Sequence, residues 1–258
     1  MSPVAVAGVG MFAPGYPNTA AWLARQPLAA DDVAPQGTLL DKHSRRRASA
    51  LTKALADAYR EALLEAQLDP AGVASVFGLA LGEASTMIGL LEQMWKKDGV
   101  LSPMRFAASV HNAAAGVVSI GSKNTGLTTS LGADFDTPAM ALYEALAIVH
   151  THGEPVLVAC GDEAAPADLV TGDEGWDCLT CALALVPVER ADPRLPRLSV
   201  PFRGEPTLAP AQLPRGFAQN PQAGMLDLID ALRRGDCGRV RLDRGRGRGY
   251  CVDILRAS

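Results

Sequence analysis

Between Met1 and Ala159 the chain contains no cysteine, and beyond residue 190 it contains no histidine. The first gap excludes a thiolate nucleophile from the N-terminal 159 residues, and the second excludes an imidazole base or metal ligand from the C-terminal stretch. Aromatic residues are also scarce, at 5% of 258. Alanine, valine and leucine must therefore fill most of the core, and such small side chains let helices lie close on a sheet. No apolar run is long enough to span a bilayer. Positive charge is not in excess, with 24 Lys and Arg against 28 Asp and Glu. The net charge of −4 argues against general nucleic-acid binding. The opening MSPVAVAGVGMFAPG has no basic region before its apolar stretch and is not a secretory signal. Five unevenly spaced cysteines point to reduced thiols and a cytoplasmic setting rather than a disulfide framework. No GxSxG elbow occurs; the nearest string, Thr128-Thr129-Ser130-Leu131-Gly132, lacks the first glycine.

What is present is an alternation of strand-like and helix-like segments. Buried strands are expected at residues 4–9, 73–81, 127–131, 155–160 and 178–188, and a last strand at 250–255. Helices are expected at 20–25, 45–68, 85–97, 113–121, 137–149 and 224–234, with residues 103–109 extended. This order predicts an α/β fold whose mostly parallel five-stranded sheet carries helices on both faces. After Glu189 the texture changes to a proline-rich, weakly periodic stretch. The chain is therefore divided into residues 1–190 and an irregular C-terminal extension, 191–258, packed on or beside them. The GRGRG at 245–249 is read as a basic turn.

Three short motifs have bland readings. Gly8-Val9-Gly10 follows a strand, but Pro14, Gly15 and Pro17 break the helix that a dinucleotide site requires. A tight turn is the better reading, and no cofactor is expected. Cys178 and Cys181 have no second ligand pair, so small buried thiols are favoured over a metal site. His150 and His152 end a helix, where cationic side chains suit the dipole.

Four further strings, taken in order, carry a resemblance to β-ketoacyl synthases. RRRASALTKALADAYREALLEAQLDPAGVASVFGLALGE resembles the family's first long helix and following strand. SVHNAAAGVVSIGSKNTGLTTS resembles the helix and strand that lead to its nucleophile, and ALYEALAIVHTHGEPVLVACGDE the nucleophile helix and next strand. CALALVPVE resembles the strand that closes the first half. The resemblance covers about residues 1–190 and implies half of a thiolase-type fold with a truncated second half.

It also implies where a nucleophilic cysteine would stand, at a strand-to-helix corner where backbone N–H groups lower the thiol pKa and stabilise an oxyanion. Aligned back from Glu144-Ala145, that position is Phe135. Asp134 and Asp136 flank it, and their charges oppose both a thiolate and an oxyanion; Asp136 is expected to N-cap the following helix. The histidines of the family's second half have no counterpart after residue 190. No catalytic residue and no metal ligand is therefore assigned.

The resemblance implies a non-catalytic subunit of the chain-length-factor type, paired as a heterodimer with an active synthase in aryl-polyene, pigment or polyketide biosynthesis. The implied partner edge is Gly126, Leu127, Thr128, Thr129, Ser130 and Leu131. Met104, Arg105 and Phe106 are expected to shape the partner's acyl pocket. Two alternatives stand beside this reading. One is a thiolase-superfamily enzyme using Asp134, Asp136 or His111. The other is a module that binds an acidic acyl-carrier protein through Arg45, Arg46 and Arg47. No nucleic acid and no membrane is expected as a partner.

Overall fold

Val4–Phe12 forms β1, buried along nearly its whole length. Two of its residues explain how a helix can lie directly on it. A Cβ at Gly8 would overlap the Ala62 carbonyl oxygen, and one at Gly10 would overlap that of Ala58. Both carbonyls belong to α3, Ala50–Ala66. The paired glycines thus serve helix packing, which accounts for the glycine motif without a nucleotide. The same helix supplies acceptors to β1: Glu65 takes the Val9 N–H at 2.8 Å and Glu61 the Met11 N–H at 3.0 Å. Gly10→Ala meets backbone that no rotamer change can relieve. It is expected to cost about 1–3 kcal/mol, read as a lower urea midpoint with an unchanged slope.

This computed structural model describes residues 1–29, 33–96, 100–170 and 174–256. After α1 (Thr19–Leu23) and α2 (Lys42–Arg47), α3 leads to β2, Ala74–Gly78. Then come α4 (Ala84–Lys96), α5 (Pro103–Ala108), α6 (Ala113–Gly121) and β3 (Thr128–Leu131). α7 (Thr137–His152), β4 (Val156–Asp162) and β5 (Leu179–Val186) complete the part that the sequence pattern resolves well. The remainder holds β6 (Arg197–Leu198), β7 (Phe202–Arg203), α8 (Arg215–Gln219), α9 (Ala223–Arg234), β8 (Gly238–Arg241) and β9 (Tyr250–Leu255).

The nine strands among the described residues join one sheet, ordered β3-β2-β4-β5-β1-β6-β9-β7, with β8 paired to β9. One helical layer, led by α3 and α6, buries Leu55, Tyr59, Phe77 and Leu157 on one face. The other, led by α7 and α9, buries Leu142, Leu146, Val158, Leu183 and Ile229 on the opposite face.

Three expectations are corrected. The sheet is not mostly parallel: β2 pairs parallel with β3 and β4, and the other described pairings are antiparallel. A parallel return needs a crossover, usually a helix. The described residues between β4 and β5 hold no α-helix, so β5 runs back antiparallel beside β4. The stretch after 190 is not irregular, since it contributes four strands and two helices, and strands from both sides of residue 190 lie in one sheet. Residues 103–108 are helical rather than extended, with Pro103 in the first turn and Ser102 capping the Arg105 N–H at 3.4 Å. In addition, the long helix expected over 45–68 is two helices, broken where Ala48 and Ser49 turn extended.

Candidate functional site

The corner between β3 and α7 is built from the backbone outward. Asp134 adopts a left-handed conformation, φ +53°, uncommon for a residue with a side chain. A 3₁₀ turn over Asp134–Asp136 then feeds α7. The helix start is held by Thr137 rather than by Asp136. Thr137 Oγ1 accepts the Ala133 N–H at 2.9 Å and donates to the Asp134 carbonyl at 2.6 Å. Asp136 makes no side-chain cap bond, so the N-cap expectation is corrected. Its carboxylate faces the C-terminal part of the chain, where Oδ1 accepts the Arg248 N–H at 2.8 Å and Oδ2 lies 3.6 Å from Arg248 Nε.

Phe135, half-buried, sits under Arg246, whose guanidinium carbon is 4.2 Å from the ring centroid. Arg246 also donates to the Gln219 carbonyl at 2.9 Å. The segment carrying Arg246 and Arg248 is wound around the buried carboxylate of Asp243, which accepts the Gly245 N–H at 2.8 Å and the Gly249 N–H at 2.5 Å. It is anchored to α9 by Arg244, which forms a two-pronged pair with Asp227 at 2.6 and 2.9 Å. The turn at 243–249 is thus a strap over the Phe135 corner. The GRGRG string marked it as a basic turn, but only the three-dimensional pairing shows what it covers.

The second feature is an open edge. β3 ends the sheet and is half-buried along its length. The Ser75 N–H bonds to the Leu127 carbonyl and the Leu79 N–H to that of Leu131. Odd-numbered residues therefore point their backbone groups at β2, and Thr128 and Ser130 point theirs away. Around this edge lies apolar surface. Leu127 projects beside it, and Ile120 on the adjoining α6 is 73% exposed. Met104 and Phe106 are exposed on α5, which buries none of its residues, and Trp95 on α4 is 92% exposed. Arg105 lies between them, its Nη1 donating to Gln93 Oε1 at 3.2 Å. These exposed apolar side chains sit on elements that pack in succession, α4 on α5, α5 on α6 and α6 beside β3.

A buried polar cluster lies at the C-terminal ends of β2 and β4. Asp162 accepts the Ala80 and Leu81 N–H groups at 3.1 and 2.9 Å and the Gln222 side-chain amide at 2.6 Å. Burial pushes its carboxyl up to about 6, against the pull of these hydrogen bonds. A carboxyl whose folded pKa exceeds its unfolded value binds its proton more tightly in the folded state. Its stabilising contribution is full below about pH 4 and is lost as pH rises through about 6. Comparing urea stability at pH 4.5 and 6.5, Asp162→Asn should show a smaller fall than the parent chain. An equal fall would assign the pH dependence to other groups.

The residues offered for chemistry do not converge. His111 Nε2 lies 2.7 Å from the Leu79 carbonyl, which places its proton on Nε2 and leaves Nδ1 to face Ser130 Oγ at 3.3 Å. Asp134 is exposed and Asp136 is held by Arg248, and no hydrogen bond among the described residues links either to His111. Arg45 donates to the carbonyls of Gly37 and Leu40 at 3.1 and 2.8 Å and stays exposed beside Arg46 and Arg47. Cys181 is fully buried and Cys178 half-buried, with burial pushing the Cys178 thiol up to about 12. Among the described residues no three His, Cys, Asp or Glu side chains are grouped to hold a metal. No described helix is long and apolar enough to cross a membrane.

The layered fold and the strand-to-helix corner define a thiolase-like ketosynthase architecture. The chain belongs to the "Beta-ketoacyl synthase, N-terminal domain" family, which matches residues 19–239. Among solved structures it is similar to a chain of the ketosynthase ApeO in complex with its chain length factor ApeC from Xenorhabdus doucetiae. That match has 20% identity and a TM-score of 0.72 over 99% of this chain and 100% of the other. It is also similar to the ishigamide ketosynthase/chain length factor, at 17% identity and a TM-score of 0.59 over 74% of this chain and 64% of that one. A beta-ketoacyl synthase from Burkholderia phymatum STM815 gives 14% identity and a TM-score of 0.61 over 90% and 71%. No curated protein matches the chain significantly.

Proposed function

We propose that the chain is a non-catalytic ketosynthase-like subunit that pairs with an active β-ketoacyl synthase and helps set the length of its product. The observation that carries this is the contrast between a closed corner and an open edge. Phe135 stands where the resemblance places the nucleophile, and it is covered by Arg246 from the chain's own strap. A phenyl ring cannot form a thioester, and the nearby Asp136 carboxylate would oppose charge on an oxyanion. Among the described residues nothing pairs with the outer edge of β3, and the apolar side chains beside it are exposed. Strand edges of this kind are templates for pairing with another chain. The similar Xenorhabdus doucetiae structure is a complex of a ketosynthase with its chain length factor, which supports a synthase as that partner.

In this reading residues 126–131 join the partner, and Met104, Arg105 and Phe106 lie toward its acyl pocket. Phe106 is the residue with most influence on length, because it is bulky and exposed on a helix that buries nothing. The test is co-expression with an active synthase, followed by product analysis. Phe106→Ala should lengthen the product by at least one extension unit and Phe106→Trp should shorten it. Product lengths indifferent to both changes would remove α5 from the pocket.

A further inference from the structure

A cavity of about 380 Å3 lies between the start of α3, α4, α5 and α6, apart from the Phe135 corner. That volume is within the range of small-molecule sites. Its walls include Met104, Ala108 and Val117, and its polar end includes Ser49, Thr52 and Glu83. Glu83 is 4% exposed. Ser49 Oγ and Thr52 Oγ1 both donate to its Oε1, each at 2.7 Å. Oε2 receives no hydrogen bond among the described residues, and Glu83 lines the cavity. Burial pushes this carboxyl up, helped by the charge of Glu163.

We infer that this cavity is a binding site for a small apolar molecule ending in a hydroxyl group, which hydrogen-bonds Glu83 Oε2. With Oε1 saturated by two donors, the proton of the acid form sits on Oε2. When protonated, Oε2 donates; when ionised, it only accepts. A ligand carbonyl suits the first state alone and an ammonium the second alone. A hydroxyl donates or accepts and so satisfies both. Apart from Arg47 and Thr86, the remaining walls are alanine, valine and methionine and favour an apolar body, and Met104 can repack around ligands of different shape. Every group in it belongs to this chain, so it can be tested without a partner, although Met104 also stands on the helix that the proposed function turns toward the partner.

The test uses the purified full chain, with benzyl alcohol and toluene as probes that differ by one hydroxyl, followed by protein-observed NMR titration. Benzyl alcohol should bind saturably at one site, at least about tenfold more tightly than toluene, as expected for a buried hydrogen bond to a carboxyl. Glu83→Gln should keep that preference, since its Nε2, left facing the cavity while Oε1 accepts from Ser49 and Thr52, donates to the ligand hydroxyl. Glu83→Met should reduce it to near unity while toluene still binds. Ala108→Phe, at a surface-exposed position that lines the cavity, should abolish binding of both probes without altering the melting temperature. It decides the matter even if Glu83→Met fails to fold. Absence of saturable benzyl alcohol binding, equal affinity for toluene, or unchanged binding to Ala108→Phe would overturn the assignment.

Discussion

Thr128→Pro should abolish association with an active synthase while leaving the chain folded. Thr128 is on the edge strand, and its backbone groups point away from β2, because the Ser75–Leu127 and Leu79–Leu131 hydrogen bonds turn the odd-numbered residues toward it. Proline there removes an outward N–H and sets a ring against any incoming strand, but it takes nothing from the β2 ladder. Loss of one ladder bond with its partner carbonyl left unpaired costs about 1–3 kcal/mol, roughly tenfold or more in affinity, before the steric conflict is added. Co-purification should fall to background, with a melting temperature within a few degrees of the parent chain. A full yield of complex from the proline variant would show that β3 is not the joined edge.

The largest loss of stability is expected from Phe77→Ala. Phe77 is buried in β2 and stacked on Tyr59 of α3, with ring centroids 5.9 Å apart and planes 5° from parallel. Tyr59 is itself tied to the Ser75 hydroxyl at 2.7 Å and reached by the Asn124 amide at 3.4 Å. Removing the Phe77 ring leaves a cavity between α3 and the sheet and frees a tyrosine whose hydroxyl anchors the start of β2. The cost is about 3–5 kcal/mol, a large part of the ~5–15 kcal/mol that holds a typical domain together. At about 2–4 °C per kcal/mol for a chain of this size, the melting temperature should fall by roughly 6–20 °C. Because β3 is held in the sheet by β2 alone, the same variant should also lose its partner edge on mild warming. A loss below about 1 kcal/mol would contradict the packing described for this face.

The reach of the sequence follows from what each element needs. β1, α6, α7 and β9 carry periodic patterns over enough residues to be seen locally, and α6 and β9 match their expected bounds. β6 and β7 span two residues each and exist only because β1 and β9 offer them partners, so no local pattern announces them. The reversal of β5 was legible in principle, since the segment before it carries no long helical pattern that could cross over. At the corner, the position of Phe135 and its acidic neighbours came from the order of the strings. The strap did not, because the contact between residues 136 and 248 joins distant parts of the chain. Asp136 resembled a cap by residue type, yet Thr137 made the shorter closure and left the carboxylate to Arg248. The cavity at Glu83 carries no motif at all; it arises where four helices leave space around one acid.

The most direct test of the central claim is native and intact-mass spectrometry of the complex, co-expressed with an active synthase and incubated with an acyl thioester. A 1:1 assembly is predicted, with the acyl mass carried by the synthase chain alone and this chain unmodified. An acyl adduct on this chain, or a chain that stays monomeric beside every synthase offered, would contradict it.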